Sequence, residues 1–143
     1  MEILENWRSL DFQKIIDLYS SVGWSNYTND PEALKKAFNN STYIAFSLEE
    51  SQLTGLIRCI SDDISIHYLQ DILVHPDFQR GGVGRALFNN ALNRFEHVRT
   101  HMLLTDDEPK QREFYESLGY KNIKDLRTIK LNSFVMMKGA ELS

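Results

Sequence analysis

A short stretch rich in glycine and arginine, residues 79–85, combines the residue types that bind an anion. Its glycines let the backbone approach a ligand and offer N–H donors, because glycine has no side chain to hinder the approach. An apolar run ends before it and an apolar pattern at helical spacing follows, so the positive end of a helix dipole should face the same ligand. The stretch is therefore predicted to bind a diphosphate through Gln79, Arg80, Gly81, Gly82, Val83, Gly84 and Arg85.

Two common phosphate-binding loops do not fit this stretch. A Walker loop needs Gly-Lys-Ser/Thr, and no lysine lies between His75 and Lys110. A Rossmann loop would have a third Gly or Ala where this chain has Leu87, and an acidic residue closing a later strand. The pattern therefore favours neither a nucleoside triphosphatase nor a dinucleotide-binding enzyme.

Two motifs together resemble the GNAT superfamily of N-acetyltransferases. The first is Leu-Val-His-Pro followed by Gln79-x-x-Gly82-x-Gly84 and Arg-Ala-Leu, which is similar to the acyl-CoA signature of that family. The second, residues 112–120, reads Arg-Glu-Phe-Tyr-Glu-Ser-Leu-Gly-Tyr and is similar to the family's closing helix and turn. The order and spacing of the predicted strands around both motifs extend the likeness over the whole chain.

The resemblance implies a fold, a cosubstrate and a reaction. The fold is α+β, a GNAT-like central mixed, mostly antiparallel sheet of six to seven strands, flanked by about four helices and splayed at the acyl-CoA site. Residues 1–143 would form one such domain, using acetyl-CoA as cosubstrate and no metal. The reaction would move the acetyl group of acetyl-CoA to a primary amine by direct transfer in a ternary complex. A catalytically silent acyl-CoA-binding sensor or interaction domain is the alternative.

The resemblance also assigns roles near the thioester. It places the pantetheine arm beside a strand whose backbone amides would hold the thioester carbonyl as an oxyanion hole does. Tyr115 matches the tyrosine that lies near the CoA sulfur in many family members, which makes it the candidate acid for the leaving thiolate. The alternative is that Tyr115 only packs beside Phe114 on an amphipathic helix. The strand residues expected at the cofactor are Ile72, Leu73 and Val74.

A base for the acceptor amine is harder to identify. Asp71 interrupts an apolar run before the loop, and a buried carboxylate there would need a partner. It is a candidate catalytic base, while pairing with Arg58 on the neighbouring strand is the alternative. His67 and Tyr68 are weaker candidates, and a water relay would need no base from the protein.

Trp24 and Tyr27 lie in an otherwise polar connection after the first predicted helix. Large aromatic side chains usually pack in a core. The resemblance instead places this connection over the acceptor, which would make both residues substrate-binding. Both interpretations stay open.

The hydrophobic pattern predicts the elements that must position these residues. Helices are expected over residues 9–21, 30–40, from the glycine loop to residue 98, and around Tyr115. Strands are expected over residues 42–48, 53–60, 64–74 and 101–105, with a final hairpin over 120–123 and 133–138.

Composition limits the classes of partner. The net charge of −4 offers no basic surface for nucleic acid. Because no apolar run reaches the ~20 residues of a membrane span and no signal peptide is apparent, we expect a cytoplasmic protein without membrane or nucleic-acid partners. Its partners would be acetyl-CoA and an amine acceptor, with a homodimer left open as an assembly. The acceptor classes are a polyamine, an arylalkylamine, an aminoglycoside, an amino acid, or a protein lysine or N-terminus.

Three further features are given structural interpretations. Cys59 stands alone in a strand, so we expect a packed thiol and neither a disulfide nor a zinc cluster. His97 and His101 lie four residues apart, but the helix should end between them and no third ligand is evident, so no metal site is expected. The acidic residues 106–108 are predicted to cap the last helix; as a rim of the acceptor pocket they would favour a cationic amine.

Overall fold

The computed structural model describes residues 1–142 and has a mixed α+β fold, as predicted. The strands in this part of the chain are β1 (Glu2–Leu4), β2 (Tyr43–Glu49), β3 (Gln52–Ser61), β4 (Ile66–Val74) and β5 (Thr100–Leu103). The α-helices are α1 (Phe12–Ser21), α2 (Ser25–Thr28), α3 (Pro31–Asn39), α4 (Val83–Phe95) and α5 (Pro109–Ser117). Short 3-10 turns lie at Trp7–Ser9, Pro76–Phe78 and Ile123–Asp125.

The predicted count of six to seven strands is wrong, because residues 1–142 contain five. The expected final hairpin is absent: residues 120–123 lead into a 3-10 turn, and residues 133–138 contain no strand. Phe134 and Met136 are 91% and 98% exposed, so they bury no surface that would hold a strand in place. Two short elements, β1 and α2, were not predicted, since three or four residues are too few to show a period.

The sheet is mostly antiparallel, as predicted, with strand order β1-β2-β3-β4-β5. The first three pairings are antiparallel, and β4 pairs with β5 in parallel. Because a parallel pair cannot be joined by a tight turn, the chain crosses over through α4 between these two strands. The crossover positions the glycine loop directly after β4.

Helices cover both faces of the sheet. Ile44 and Phe46 of β2 belong to one apolar cluster with α1 and α3. Tyr43 precedes Ile44 and so points to the opposite face of the sheet. Its ring contacts that of Phe95 in α4, with centroids 5.7 Å apart. Because helices pack on both sides, consecutive residues of β2 and β3 are buried. The fully buried aromatic residues are Tyr19, Phe38, Phe46, Phe88 and Phe95.

Two of the predicted helices begin at aspartate caps. Asp11 accepts a hydrogen bond from the Gln13 N–H at 3.0 Å and starts α1. Asp30 accepts one from the Ala33 N–H at 3.1 Å, with Pro31 at the first helical position of α3. Both carboxylates satisfy N–H groups that have no partner within the helix.

Contacts divide the chain into two compact units, Met1–Leu104 and a second one from Thr105 onward. The first unit holds the whole sheet and helices α1 to α4. The second holds α5, whose Arg112 forms ion pairs with Glu116 and Asp125. The single domain expected over residues 1–143 stays a prediction.

Gly55 in β3 is a point of close approach that was not recognised in the sequence. A Cβ atom at this position would lie 2.8 Å from Val83 Cγ1 and 3.0 Å from Leu87 Cδ1. Both neighbours belong to the first half of α4. Because Gly55 has no side chain, α4 can pack closely on the sheet at this point.

We expect Gly55→Ala to lower the free energy of unfolding by about 1–3 kcal/mol, because the added methyl group overpacks this contact. Urea-induced unfolding measures the change. Val83→Ala in the same chain removes the nearest clashing atom and should recover part of the loss, which a double-mutant cycle would quantify. A Gly55→Ala variant as stable as the wild type would contradict this account of the packing.

Candidate active site

The glycine loop is built by unusual backbone conformations at the start of α4. Arg80 has φ +68° and Gly82 has φ +84°, both in the left-handed region. Gly82 is the N-cap residue, and its carbonyl accepts the first helical hydrogen bond, from the Ala86 N–H at 3.0 Å. Since the first N–H groups of a helix have no carbonyl partner within it, those of Val83 and Gly84 are available to an anion.

The loop is fixed to the sheet but open on its outer side. The Gln79 amide Nε2 donates to the Val74 carbonyl at 3.1 Å, which ties the loop to the end of β4. A Cβ atom at Gly82 would meet nothing within 4 Å. Arg80 is exposed, and its guanidinium forms no hydrogen bond or ion pair with residues 1–142. A cationic side chain and open space therefore lie at the same turn.

The sheet opens immediately before the loop. β5 pairs with β4 only from Ile66 to Leu69, although β4 continues to Val74. Among the described residues, no strand covers the outer edge of residues 70–74. This uncovered edge of β4 contains the predicted cofactor residues Ile72, Leu73 and Val74, and it leads into the glycine loop.

A buried polar cluster lies beside the uncovered edge, around Asp71. Asp71 is 3% exposed and faces Arg58 across the β3–β4 pair, with 2.8 Å between Arg58 Nε and Asp71 Oδ2. The Tyr19 hydroxyl donates to the same oxygen at 3.0 Å, and the Tyr27 hydroxyl donates to Oδ1 at 2.7 Å. Three donors thus hold one carboxylate.

The cluster keeps both phenols protonated. Burial, followed by the negative charge of Asp71, raises the pKa of Tyr19 well above its usual value. Burial and Asp71 likewise raise the pKa of Tyr27. Burial lowers the pKa of Arg58, but Asp71, Tyr19 and Tyr27 together outweigh burial, so the pKa is raised. The cluster is therefore an ion pair of Arg58 and Asp71 that also accepts hydrogen bonds from two neutral hydroxyl groups.

These contacts bear on the two interpretations of Asp71. The pairing with Arg58 that the sequence offered as an alternative is present. A carboxylate that is buried and held by three donors is poorly placed to take a proton from an incoming amine. The catalytic role of Asp71 stays a prediction, and its contacts favour the structural role.

Trp24 and Tyr27 both pack partly against the core, and both are half-buried. Their rings meet Tyr19 edge-on, with centroids 5.9 Å away for Trp24 and 5.1 Å away for Tyr27. The Tyr27 hydroxyl also accepts hydrogen bonds from Arg58 Nη2 at 3.3 Å and from Gln70 Nε2 at 3.2 Å. The structure therefore brings Tyr27 to the uncovered edge of β4.

Gln70 lies beside the cluster around Asp71 and was not singled out from the sequence. It is the extra residue of a bulge, since Arg58 lies opposite Asp71 while Cys59 lies opposite Leu69. Adjacent strand residues normally point to opposite faces, yet Gln70 and Asp71 both reach Tyr27. A bulge depends on strand pairing, so it leaves no signal in the sequence.

Tyr115 lies in α5, within the second unit. Its side chain is partly buried, and its ring meets Tyr120 at right angles with centroids 6.1 Å apart. Burial raises the pKa of Tyr115 to about 12. The phenol therefore keeps its proton throughout the neutral range, as a donor must. Its catalytic role stays a prediction.

The lone cysteine is packed, as predicted. Cys59 is fully buried in β3, and burial raises the pKa of its thiol to about 12. Because the thiolate is the nucleophilic form, this thiol is unreactive near neutral pH.

His97 and His101 do not share a helix. His97 follows the end of α4, and His101 lies on β5, where its Nδ1 is 2.9 Å from Nδ1 of His67 on β4. His67 is fully buried and stacks on Phe95, and its Nε2 has no hydrogen-bond partner among residues 1–142. That part of the chain has no group of three or more His, Cys, Asp or Glu side chains arranged to hold a metal ion.

We expect the stability of the protein to fall in acid because of His67. Burial, followed by His101, lowers the pKa of His67 to about 4, whereas an unfolded histidine has a pKa of about 6.5. The unfolded chain therefore binds a proton that the folded chain does not. The contribution is complete above pH ~6.5 and is lost as the pH falls toward ~4, up to about 3 kcal/mol.

Urea unfolding at several pH values tests this prediction. His67→Leu removes the titrating ring and should flatten the acid side of the stability curve. His97→Gln changes an exposed histidine and should leave that side unchanged. An equal slope in wild type and His67→Leu would contradict the assignment.

Among residues 1–142, no helix combines the length and the apolar character that crossing a membrane takes.

Comparisons with known proteins agree on one family. The family model described as an acetyltransferase (GNAT) domain matches residues 15–140. A protein of Gibberella zeae named as an acetyltransferase is 35% identical over 99 residues, which cover 67% of this chain and 55% of that protein. The chain therefore spans little more than half the length of this relative.

Solved structures share the fold. A GNAT-family acetyltransferase of Streptococcus pneumoniae superposes with a TM-score of 0.75 at 29% identity, covering 92% of this chain and 96% of that one. An aminoglycoside 6′-N-acetyltransferase complexed with coenzyme A has a TM-score of 0.70 at 20% identity, covering 85% of each chain.

Proposed function

Because this chain belongs to the GNAT family of acetyltransferases, we propose that it moves the acetyl group of acetyl-CoA to a primary amine by direct transfer in a ternary complex. The observation that carries the proposal is the open glycine loop at the end of the uncovered edge of β4. Anion-binding N–H groups and unpaired strand backbone there follow one another along the chain. Acetyl-CoA carries the complementary groups, which are an extended thioester arm joined to a diphosphate.

The loop residues fit a coenzyme A diphosphate. Gly82 keeps its left-handed backbone without steric cost and leaves the space above it open. Val83 and Gly84 offer N–H donors at the positive end of α4, and Arg80 adds an exposed charge. The solved aminoglycoside acetyltransferase, which holds coenzyme A on the same fold, supports this choice of cosubstrate.

The remaining residues follow from the position of the loop. Acetyl-CoA would supply the activated acetyl group, and the backbone of residues 72–74 would orient its carbonyl along the uncovered edge of β4. Gln79 would act indirectly, by fixing the loop to Val74. Tyr115 is the proposed donor to the leaving sulfur, and Trp24 and Tyr27 are the proposed walls of the acceptor side.

Direct transfer is favoured by the state of the cysteine. A covalent acetyl-enzyme would need an accessible nucleophile, and the only cysteine of the chain is fully buried with a pKa raised to about 12. In direct transfer the amine attacks the thioester itself, and it can do so only in its neutral form. Since Asp71 is held by three donors, we assign removal of the proton to solvent.

A screen of primary amines tests the proposed function. Release of free CoA from acetyl-CoA is followed by a thiol reagent, with and without each amine, and acetyl-CoA binding is measured by calorimetry. We expect at least one amine class to raise the rate of release. Binding of acetyl-CoA with no response to any amine would reject transfer and favour a silent acyl-CoA sensor.

A further inference from the structure

We propose that Gln70 binds the acceptor amine through its side-chain carbonyl oxygen, Oε1. This inference rests on the proposed acetyl transfer and names a residue of the same site that determines acceptor binding. Gln70 is exposed and is the first residue of β4 beyond Leu69, the last one that β5 covers. It therefore stands where the uncovered edge of β4 begins, a few residues before the proposed thioester site.

The bulge determines to which face of the sheet the Gln70 side chain points. Without the extra residue, its side chain would point to the face opposite that of Asp71. In the structure its amide Nε2 instead donates to the Tyr27 hydroxyl at 3.2 Å, on the face that carries Trp24 and Tyr27. The side chain is thus held next to the half-buried aromatic residues that we propose as walls of the acceptor side.

The hydrogen bonds of Tyr27 determine which end of the amide faces outward. The Tyr27 hydroxyl has one proton, and that proton goes to Asp71 Oδ1 at 2.7 Å. Only oxygen lone pairs remain for Gln70, so the amide must present its NH₂ group to Tyr27 and turn its carbonyl away. Oε1 has no hydrogen-bond partner among residues 1–142.

An outward amide carbonyl suits the chemistry of an attacking amine. The nucleophile must be the neutral amine, which has N–H groups to donate and needs its lone pair for the carbonyl carbon. A carboxylate at this point would stabilise the ammonium form and so hold the amine in its unreactive state. The uncharged carbonyl of Gln70 would accept one N–H hydrogen bond without favouring the ammonium form. The carboxylate nearest to it, Asp71, is buried and paired with Arg58.

Gln70→Leu tests the contact, with the best amine from the screen as substrate. The variant keeps the size of the side chain but loses the acceptor oxygen. We expect KM for the amine to rise by about 5- to 30-fold, as for the loss of one hydrogen bond, with the affinity for acetyl-CoA unchanged. Gln52→Leu, an exposed glutamine at the start of β3, is the matched control and should change neither value.

Gln70→Glu adds a measurement that a merely structural role would not move. A carboxylate at this position should favour the ammonium form of the bound amine. The acidic limb of kcat against pH, which reports groups in the complex with the amine, should therefore move to higher pH, by about 0.5 to 1 unit. Gln52→Glu should leave the profile in place. Thermal unfolding of all four variants shows whether the fold is intact.

The outcomes separate the two proposals. A wild-type chain that binds acetyl-CoA but responds to no amine overturns both of them. Amine-dependent release of CoA with the KM and pH profile of Gln70→Leu and Gln70→Glu unchanged overturns only the role of Gln70. A raised amine KM together with the displaced profile supports it.

Discussion

A Tyr115→Phe variant is expected to turn over about 10²- to 10⁴-fold more slowly than the wild type while binding acetyl-CoA with the same affinity. The substitution keeps the ring, and with it the edge-on contact to Tyr120, but removes the hydroxyl. A proton donor acts on the sulfur as the carbon–sulfur bond breaks, so its loss affects the transition state and leaves the docked thioester unchanged.

The raised pKa sharpens this expectation. With a pKa of about 12, the Tyr115 phenol is a weaker acid than a thiol, whose ordinary pKa is about 8.5. It would therefore donate a hydrogen bond to the developing thiolate more readily than it would give up its proton completely. No decline in rate from ionisation of Tyr115 should occur below pH ~11, because the pKa is raised by burial.

Steady-state kinetics and calorimetry on Tyr115→Phe check both statements. Tyr120→Phe, which removes a neighbouring hydroxyl on the same unit, is the control and should retain most of the turnover. Wild-type turnover in Tyr115→Phe would return this residue to a packing role. A water molecule that takes over the donor role would reduce the loss to about tenfold.

The second large effect is expected at Gly82. Gly82→Val should weaken the binding of acetyl-CoA and of CoA by at least about 100-fold, because its side chain would fill the open space at the N-terminal end of α4 that we propose for the diphosphate. The position also has φ +84°, so any side chain adds about 1–2 kcal/mol of backbone strain. Calorimetric titration gives the affinity, and urea unfolding gives the stability.

Gly23 provides a matched control for the strain. It has φ +78°, and a Cβ atom there would also meet nothing within 4 Å, but it lies at the end of α1. Gly23→Val should lose similar stability and keep its affinity for CoA. If both variants bound CoA equally well, the diphosphate would not lie on this loop.

The sequence by itself determined the local elements and the family. The spacing of Gly82, Gly84 and the apolar residues after them specified a loop that enters a helix, because glycine and helical periodicity act over a few residues. The helices expected over residues 9–21 and 30–40 form for the same local reason, with Asp11 and Asp30 capping their first turns. The three strands before this loop followed from the hydrophobic pattern, and the two motifs together indicated the acetyltransferase family that the comparisons show.

The tertiary structure decided where strands exist and how side chains meet. Residues 133–138 are apolar enough to suggest a strand, but a strand needs a partner for its backbone groups, and no pairing forms for this segment. The pairing of β5 with β4 ends at Leu69, and this end point depends on how the chain returns to the sheet after α4. Neither property is contained in a local pattern.

The same limit applies within the site. Asp71 was recognised as an unusual carboxylate with Arg58 as its alternative partner, but its two tyrosine donors come from α1 and α2, segments distant in the sequence. Gln70 looked like an ordinary polar strand residue until the bulge turned it toward Tyr27. Residue identity thus set which chemical groups were available, and strand register, which only long-range pairing fixes, set which of them meet at Tyr27.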